Sequence, residues 1–91
     1  MLYIQWTDRF RKDFEALSKV HQHQVARAVE LLDRNWRYPG LQVKKVHGHP
    51  GVWEARISQS HRMTFSFEGK FRGLDVCMLR RVGTHAVFKS P

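Results

Sequence analysis

A single cysteine, Cys77, stands among 91 residues. The chain therefore closes no internal disulfide and supplies no thiolate zinc site, which excludes a disulfide scaffold and a zinc ribbon and suits a reducing compartment. Long hydrophobic runs are missing as well. No unbroken apolar stretch exceeds four residues, far short of the roughly 20 a membrane span needs, and no secretory apolar segment stands near Met1, so no membrane partner is expected and the expected location is cytoplasmic. Three prolines and six glycines form no linker, no repeat and no low-complexity tract, and a chain this short has room for one domain, residues 1–91. What is present is enough for a core: 42% of the residues are hydrophobic and 12% aromatic, which argues against disorder.

Acids are scarce and unevenly placed. Sixteen Lys and Arg face eight Asp and Glu, leaving +8. Residues 1–36 are nearly balanced, with six basic and five acidic side chains, whereas residues 37–91 hold ten basic and three acidic. A solvated face that only aids solubility would not need this segregation; a surface that meets a polyanion would.

Residues Leu2 to Trp6 are rich in β-formers and stop at Thr7 and Asp8, either of which can cap a helix. Phe10, Phe14 and Leu17 recur at i, i+4 and i+7 among charged neighbours, and Val25, Val29, Leu32 and Trp36 repeat the spacing until Arg37-Tyr38-Pro39-Gly40 stops it. No glycine or proline separates the two stripes, so one long bent helix stays open beside a two-helix hairpin. The hairpin is preferred, since a single helix of that length would span the whole domain. From Gln42 the period becomes two. Gln42 to Val46, Val52 to Ser58, His61 to Phe67 and Leu74 to Val82 read as strands, broken at His47 to Gly51, at Gln59-Ser60 and at Glu68 to Gly73. Alternation sets Trp53, Ala55, Ile57, Met63, Phe65 and Phe67 on one face, and Glu54, Arg56, Ser58, Arg62, Thr64 and Ser66 on the other. The expected fold is α+β, an N-terminal strand and a two-helix hairpin packed on the apolar face of a small, mainly antiparallel sheet, with the polar face open. Trp53 and Cys77 are expected in the core. Gly83 to Pro91 lacks periodicity and reads as a tail at a sheet end, carrying Thr84, His85, Phe88 and Lys89.

The polar face gathers Arg56 and Arg62 from neighbouring strands, Lys44 or Lys45 from the strand before, and Arg80 or Arg81 from the last. Adjacent guanidinium groups repel unless an anion lies among them, and arginine forks match phosphate oxygens and stabilise the charge a phosphorane develops. The plain alternative is ordinary ion pairing of Glu54 with Arg56 and of Asp75 with Arg80 or Arg81, but two acids are too few for five bases. The same scarcity argues against metal chemistry: residues 37–91 offer only Glu54, Glu68 and Asp75, where a two-metal site needs several converging carboxylates. His21 and His23, two apart on a helix, face different ways, and His47 and His49 flank a turn glycine. No metal and no cofactor is expected. RNA allows a metal-free route, because its 2′-OH attacks the adjacent phosphorus once a base takes its proton, an acid protonates the leaving 5′-oxygen and cations hold the phosphoryl oxygens. A histidine suits either transfer. His85 is preferred, since a tail residue can project over the sheet's end; His61 is the alternative, although its parity points it with Met63 and Phe65 toward the helices.

Gly51-Val52-Trp53-Glu54-Ala55-Arg56-Ile57-Ser58, then His61-Arg62-Met63-Thr64-Phe65, then Leu79-Arg80-Arg81-Val82-Gly83-Thr84-His85 resemble the RelE/ParE superfamily of toxin-antitoxin toxins, the first two motifs being similar to those of its RelE, YoeB and HigB branch. The resemblance spans nearly the whole chain. It implies a ribosome-dependent mRNA endonuclease that enters the empty decoding site, cuts by 2′-OH attack without metal, and is held inactive by a cognate antitoxin. Carried over, Arg62 matches the catalytic arginine, Arg56 a basic residue on the phosphate side, and His85 the C-terminal histidine of YoeB-like members; Lys44 and Lys45 correspond to basic residues of the preceding strand, and with Arg80 and Arg81 they would grip RNA phosphates. The chain departs from the pattern at Ala86, where an acid is expected, and at Phe88, where RelE carries tyrosine. Two alternatives follow: a ParE-type toxin that poisons DNA gyrase, and an attenuated, non-toxic RNA-binding homologue.

Overall fold

Thr7 and Ser18 set the helical half of the molecule. In the computed structural model, which describes all 91 residues, strand β1 (Tyr3–Trp6) ends at Thr7, whose hydroxyl accepts the Phe10 N–H at 3.1 Å and so caps helix α1 (Asp8–Glu15). The same hydroxyl donates to the Leu79 carbonyl at 2.8 Å, fixing the helix start to the sheet. Helix α2 (Lys19–Arg34) begins at Ser18, which accepts the His21 N–H at 3.3 Å. The two apolar stripes therefore belong to two helices, as the hairpin reading expects, and the break is made by a serine cap without glycine or proline. Gln22 of α2 reinforces it by donating its side-chain amide to the Phe14 carbonyl at 3.0 Å. No helix is long and apolar enough to cross a membrane.

After a 3₁₀ turn (Pro39–Leu41) come β2 (Lys44–Lys45), β3 (Trp53–Arg56), β4 (Arg62–Phe71) and β5 (Leu74–Gly83), then a second 3₁₀ turn (His85–Lys89). The sheet order is β1-β5-β4-β3-β2, with β1 parallel to β5 and every other pair antiparallel. Phe10, Val25, Ala28 and Leu32 of the helices bury against Ala55, Met63, Phe65, Cys77, Leu79 and Val82 of the sheet, closed by Leu41. Burial in this core pushes the Cys77 thiol up to about 12, with the nearby Asp33 carboxylate adding to the effect, so this side chain packs as a small hydrophobe.

The strand boundaries differ from the sequence reading in ways that matter for function. The expected strands at Gln42 to Val46 and Val52 to Ser58 shrink to Lys44–Lys45 and Trp53–Arg56. Glu68-Gly69-Lys70 is no turn: β4 runs on to Phe71, and Gly69, at φ 76°, absorbs a bulge inside the strand. The reversal lies at Arg72-Gly73, both at positive φ, as two-residue hairpins require. A second bulge faces Thr64 and Phe65, which pair with Arg81 and Leu79 and leave Arg80 between them.

The polar face is not fully open. Thr64 and Ser66 are buried, and over Thr64 the tail folds back: the Pro91 main-chain oxygen accepts from the Thr64 hydroxyl at 2.9 Å and from Arg80 Nε at 3.1 Å, and the Ser90 carbonyl accepts from Arg81 Nη1 at 3.1 Å. Val46, Val52 and Val87, outside the main core, are buried too. A segment without hydrophobic periodicity gave no sign of this, since main-chain carbonyls make the contacts.

Candidate nucleic-acid interface

Cross-strand register places the basic residues on the polar face. Arg56 of β3 lies opposite Arg62 of β4, and Arg62 opposite Gly83 of β5. His85 follows Gly83 by two residues and opens the last 3₁₀ turn. Arg56 and Arg62 thus share one row across the end of the sheet with Gly83, and His85 follows that row in the chain by two residues, outside the strands. Two residues further along the strands, about 7 Å, a parallel row on the same face carries Lys44, Glu54, Thr64 and Arg81.

Arg62 is held in place by main chain. Its Nη1 donates to the carbonyls of Ser58 at 2.6 Å, His61 at 2.9 Å and Gln59 at 3.5 Å, so the loop between β3 and β4 grips one corner of the guanidinium while Nε and Nη2 make no hydrogen bond. A pre-positioned fork with two free donors suits a phosphate oxygen pair. Arg56 is half-buried and makes no salt bridge. His85 is exposed, and its ring meets Phe88 edge-on at 5.5 Å.

Around Arg80 and Arg81 a cleft of about 460 Å³ is lined also by Arg9, His49, Lys89 and the tail residues Ser90 and Pro91, with no acidic side chain among them. The bulge at Arg80 re-aims the strand and brings both Arg80 and Arg81 to it. The two are not equivalent. Arg81 is fully engaged, its Nε and Nη2 on the Asp13 carboxylate at 2.7 and 3.4 Å and its Nη1 on Ser90. Arg80 binds only Pro91 through Nε, leaving its outer nitrogens for a ligand. Neither arginine pairs with Asp75, which lies 3.3 Å from Lys70, and Glu54 pairs with nothing. The partner that the sequence reading missed is Asp13, 68 positions away from Arg81.

Lys44 and Lys45 part company. Lys44 lies opposite Glu54 on the polar face, whereas Lys45 lies opposite Trp53 with its ammonium 5.6 Å from that ring's centroid, on the helix side. Trp53 packs edge-on against Trp36 at 5.5 Å, partly buried at the margin of the core and not within it as expected. His49, Arg9 and Lys89 are cleft residues that strand alternation did not find. His49 sits in the β2–β3 turn, where its carbonyl accepts the Val52 N–H at 3.1 Å, and Arg9 arrives from α1; neither position has a periodic signature. No group of three or more His, Cys, Asp or Glu side chains is placed to hold a metal ion.

His61 points to the helices, as its parity predicts. Its ring stacks on that of His21 at 3.9 Å, Nδ1 lies 2.7 Å from the Ser60 hydroxyl, and the residue is only 8% exposed. Burial first, and the neighbouring His21 second, hold its pKa below the ordinary 6.5. Folding therefore favours neutral His61, while the unfolded chain takes up a proton near pH 6.5, so the stability this residue contributes is complete above that pH and declines as pH falls through it toward the lower folded value. Urea midpoints should drop between pH 7.5 and 5.5, and His61→Gln should flatten that dependence; a slope unchanged in the variant would assign it to other groups.

No family model matches the chain, and no curated protein matches it significantly. Solved structures do: two helices on one face of a five-stranded, mostly antiparallel sheet, with the last strand leading into a short C-terminal turn, is the α+β fold of RelE-like toxins. The structural neighbours are YoeB/ParE, YafQ and RelE toxins. A YoeB/ParE toxin from Agrobacterium tumefaciens superposes with a TM-score of 0.75 at 16% identity over 92% of this chain and 99% of that one. YafQ from Escherichia coli strain BL21(DE3) gives 0.75 at 17% identity over 96% and 97%. The archaeal RelE of the RelE–RelB complex from Pyrococcus horikoshii OT3 gives 0.69 at 15% identity over 91% and 93%.

Proposed function

We propose that this chain is a ribosome-dependent mRNA endonuclease, the toxin of a type II toxin-antitoxin pair. The observation that carries the reading is the row Arg56–Arg62–Gly83 with His85 two residues on, together with a basic cleft around Arg80 and Arg81 that no acidic side chain lines. In the reaction a base removes the 2′-OH proton, that oxygen attacks the adjacent phosphorus, and the bond to the 5′-oxygen breaks as an acid protonates it, leaving a 2′,3′-cyclic phosphate and a 5′-hydroxyl. Arg62, through Nε and Nη2, and Arg56 hold the phosphoryl oxygens as charge develops. His85 serves one proton transfer, and we assign the other to Glu54 on the strength of its lacking a salt bridge on the polar face. Arg80, Lys44, Arg9 and Lys89 hold flanking phosphates, while Arg81 keeps α1, β5 and the tail together.

Three carboxylates spread over the sheet half, none grouped with others, support a route without metal. The antitoxin partner rests on the fold likeness to proteins solved as toxin-antitoxin pairs, such as DinJ–YafQ. A reconstituted translation complex programmed with a defined mRNA tests the reading. Cleavage in the decoding-site codon should proceed at the same rate with EDTA as without it, the ribosomes being stabilised by polyamines. Loss of cutting in EDTA would remove the metal-free mechanism, and intact mRNA alongside inhibited supercoiling by gyrase would select the ParE-type alternative.

A further inference from the structure

His61 links the helix layer to the loop that carries Arg62. Its main-chain carbonyl accepts the N–H of Ile57 at 3.0 Å and of Ser58 at 3.2 Å, which closes the turn between β3 and β4, and it also accepts Arg62 Nη1 at 2.9 Å. Its ring stacks on His21 of α2, with centroids 3.9 Å apart and planes 31° from parallel. Each ring is tied through Nδ1 to a serine of its own segment: His61 to the Ser60 hydroxyl at 2.7 Å, and His21 to that of Ser18, the cap of α2, at 3.1 Å. The stack thus ties the start of α2 to the loop whose Ser58, Gln59 and His61 carbonyls grip Arg62. A turn closed by one residue's carbonyl keeps its shape through whatever anchors that residue's side chain.

The charges around the pair are of one sign. His21 comes from α2, Arg56 and Arg62 from the strands that the turn joins, and His85 from beyond Gly83. Ser18, Ser58, Gln59 and Ser60 are neutral, and neither ring pairs with a carboxylate. One proton on two stacked imidazoles is tolerated. A second sets like charges 3.9 Å apart with no counter-ion, and burial together with His21 already holds the His61 pKa down. We propose that the His21–His61 stack is a positioning device for Arg62, holding the β3–β4 loop in the shape that grips the guanidinium and letting go when both rings are protonated. Well above about pH 6.5 the rings are stacked and Arg62 presents Nε and Nη2 in a fixed direction. As the pH falls below that value the rings part, the loop loosens and Nη1 loses its carbonyls. That the held guanidinium serves a phosphate rests on the RNA-cleaving reading; the hold itself does not.

Amide hydrogen exchange of the full chain without RNA, corrected for the intrinsic effect of pH, tests the hold. Between pH 7.5 and 5.5 the protection of the Ile57 and Ser58 N–H groups should fall about tenfold relative to amides of the β4–β5 pairing, and the Arg62 guanidinium NMR signals should move to the position of free arginine. In His21→Phe, which keeps an aromatic stack and removes one charge, both should stay as they are at pH 7.5. His21→Gln, which removes charge and stack together, should show low protection at both pH values. A fall shared equally by the β4–β5 amides, or one that persists in His21→Phe, would overturn the device. On the programmed ribosome, His21→Ala should slow single-turnover cleavage about tenfold at pH 7.5 by loosening Arg62, and His21→Phe should restore the rate. At pH 5.5 the parent should fall to the His21→Ala rate while His21→Phe exceeds both; His85 titrates in all three chains, so the ratios isolate the stack. Equal rates in all three, with exchange responding as expected, would overturn the role in positioning Arg62. Absence of cleavage by the parent would refute the endonuclease reading and leave the exchange result standing.

Discussion

Single-turnover cleavage of mRNA on the ribosome by His85→Ala is expected to be slower than that of the parent chain by a factor of about 100 or more, the usual contribution of a positioned acid or base. The substitution is structurally quiet. His85 is exposed and its ring meets Phe88 edge-on, so the thermal midpoint should hardly move and the loss belongs to chemistry. The pH–rate profile should lose a limb with the imidazole. Arg62→Ala should cost about 100- to 1,000-fold by removing a donor from the developing phosphorane. Arg62→Lys should not restore it, because a single ammonium cannot both sit on the Ser58 and His61 carbonyls and offer a two-donor edge to phosphate. An unchanged single-turnover rate in His85→Ala would take the proton transfer away from the tail. It would not return it to His61, whose ring is stacked on His21 on the far side of the sheet, and would leave Glu54 and the arginines.

Elements whose side chains alternate or recur between two environments were legible in the sequence. Phe10, Val25, Leu32, Met63 and Phe65 bury where periodicity puts them, and Trp53 and His61 face the helices as their parity demands. Residues governed by main-chain geometry were not. Parity alone cannot place Arg80 and Arg81 together, because the bulge between them and Thr64-Phe65 resets the alternation, and a bulge leaves little trace in side-chain pattern. Glu68-Gly69-Lys70 has turn composition but serves a bulge in a continuing strand. The tail's cover over Thr64 is made of carbonyl oxygens, which any sequence possesses. The cleft is a similar case: Arg9 from a helix, His49 from a turn and Lys89 from the tail converge only after the chain has folded, while the Arg56–Arg62 pair was visible because both sit at strand ends whose register could be read, with His85 two residues past the last strand.

Asp13→Ala is expected to produce the largest loss of stability from any single surface carboxylate. Asp13 accepts three hydrogen bonds, from Arg81 Nε at 2.7 Å, Arg81 Nη2 at 3.4 Å and the Val82 N–H at 3.1 Å. The two side chains are only 20% and 19% exposed, so solvent screens the pair less than it screens Lys70–Asp75 at 68% and 55% exposed, where about 0–1 kcal/mol is usual. Truncation leaves a half-buried guanidinium without its counter-charge and a β5 amide without its acceptor, and should cost about 2–3 kcal/mol, or roughly 10–20 °C in a chain of this size. Restoring charge balance separates this cause from lost packing. The double variant Asp13→Leu with Arg81→Met should recover most of the loss, because the charge left unpaired is the larger part of the penalty. The double variant should still cut mRNA poorly, since Arg81 Nη1 also holds the Ser90 carbonyl and with it the tail that lines the cleft. Urea unfolding at constant slope is the measurement, and an Asp13→Ala unfolding free energy within about 0.5 kcal/mol of the parent, the range of an ordinary surface substitution, would reduce the pair to a solvated contact and return Arg81 to the residues available for phosphate.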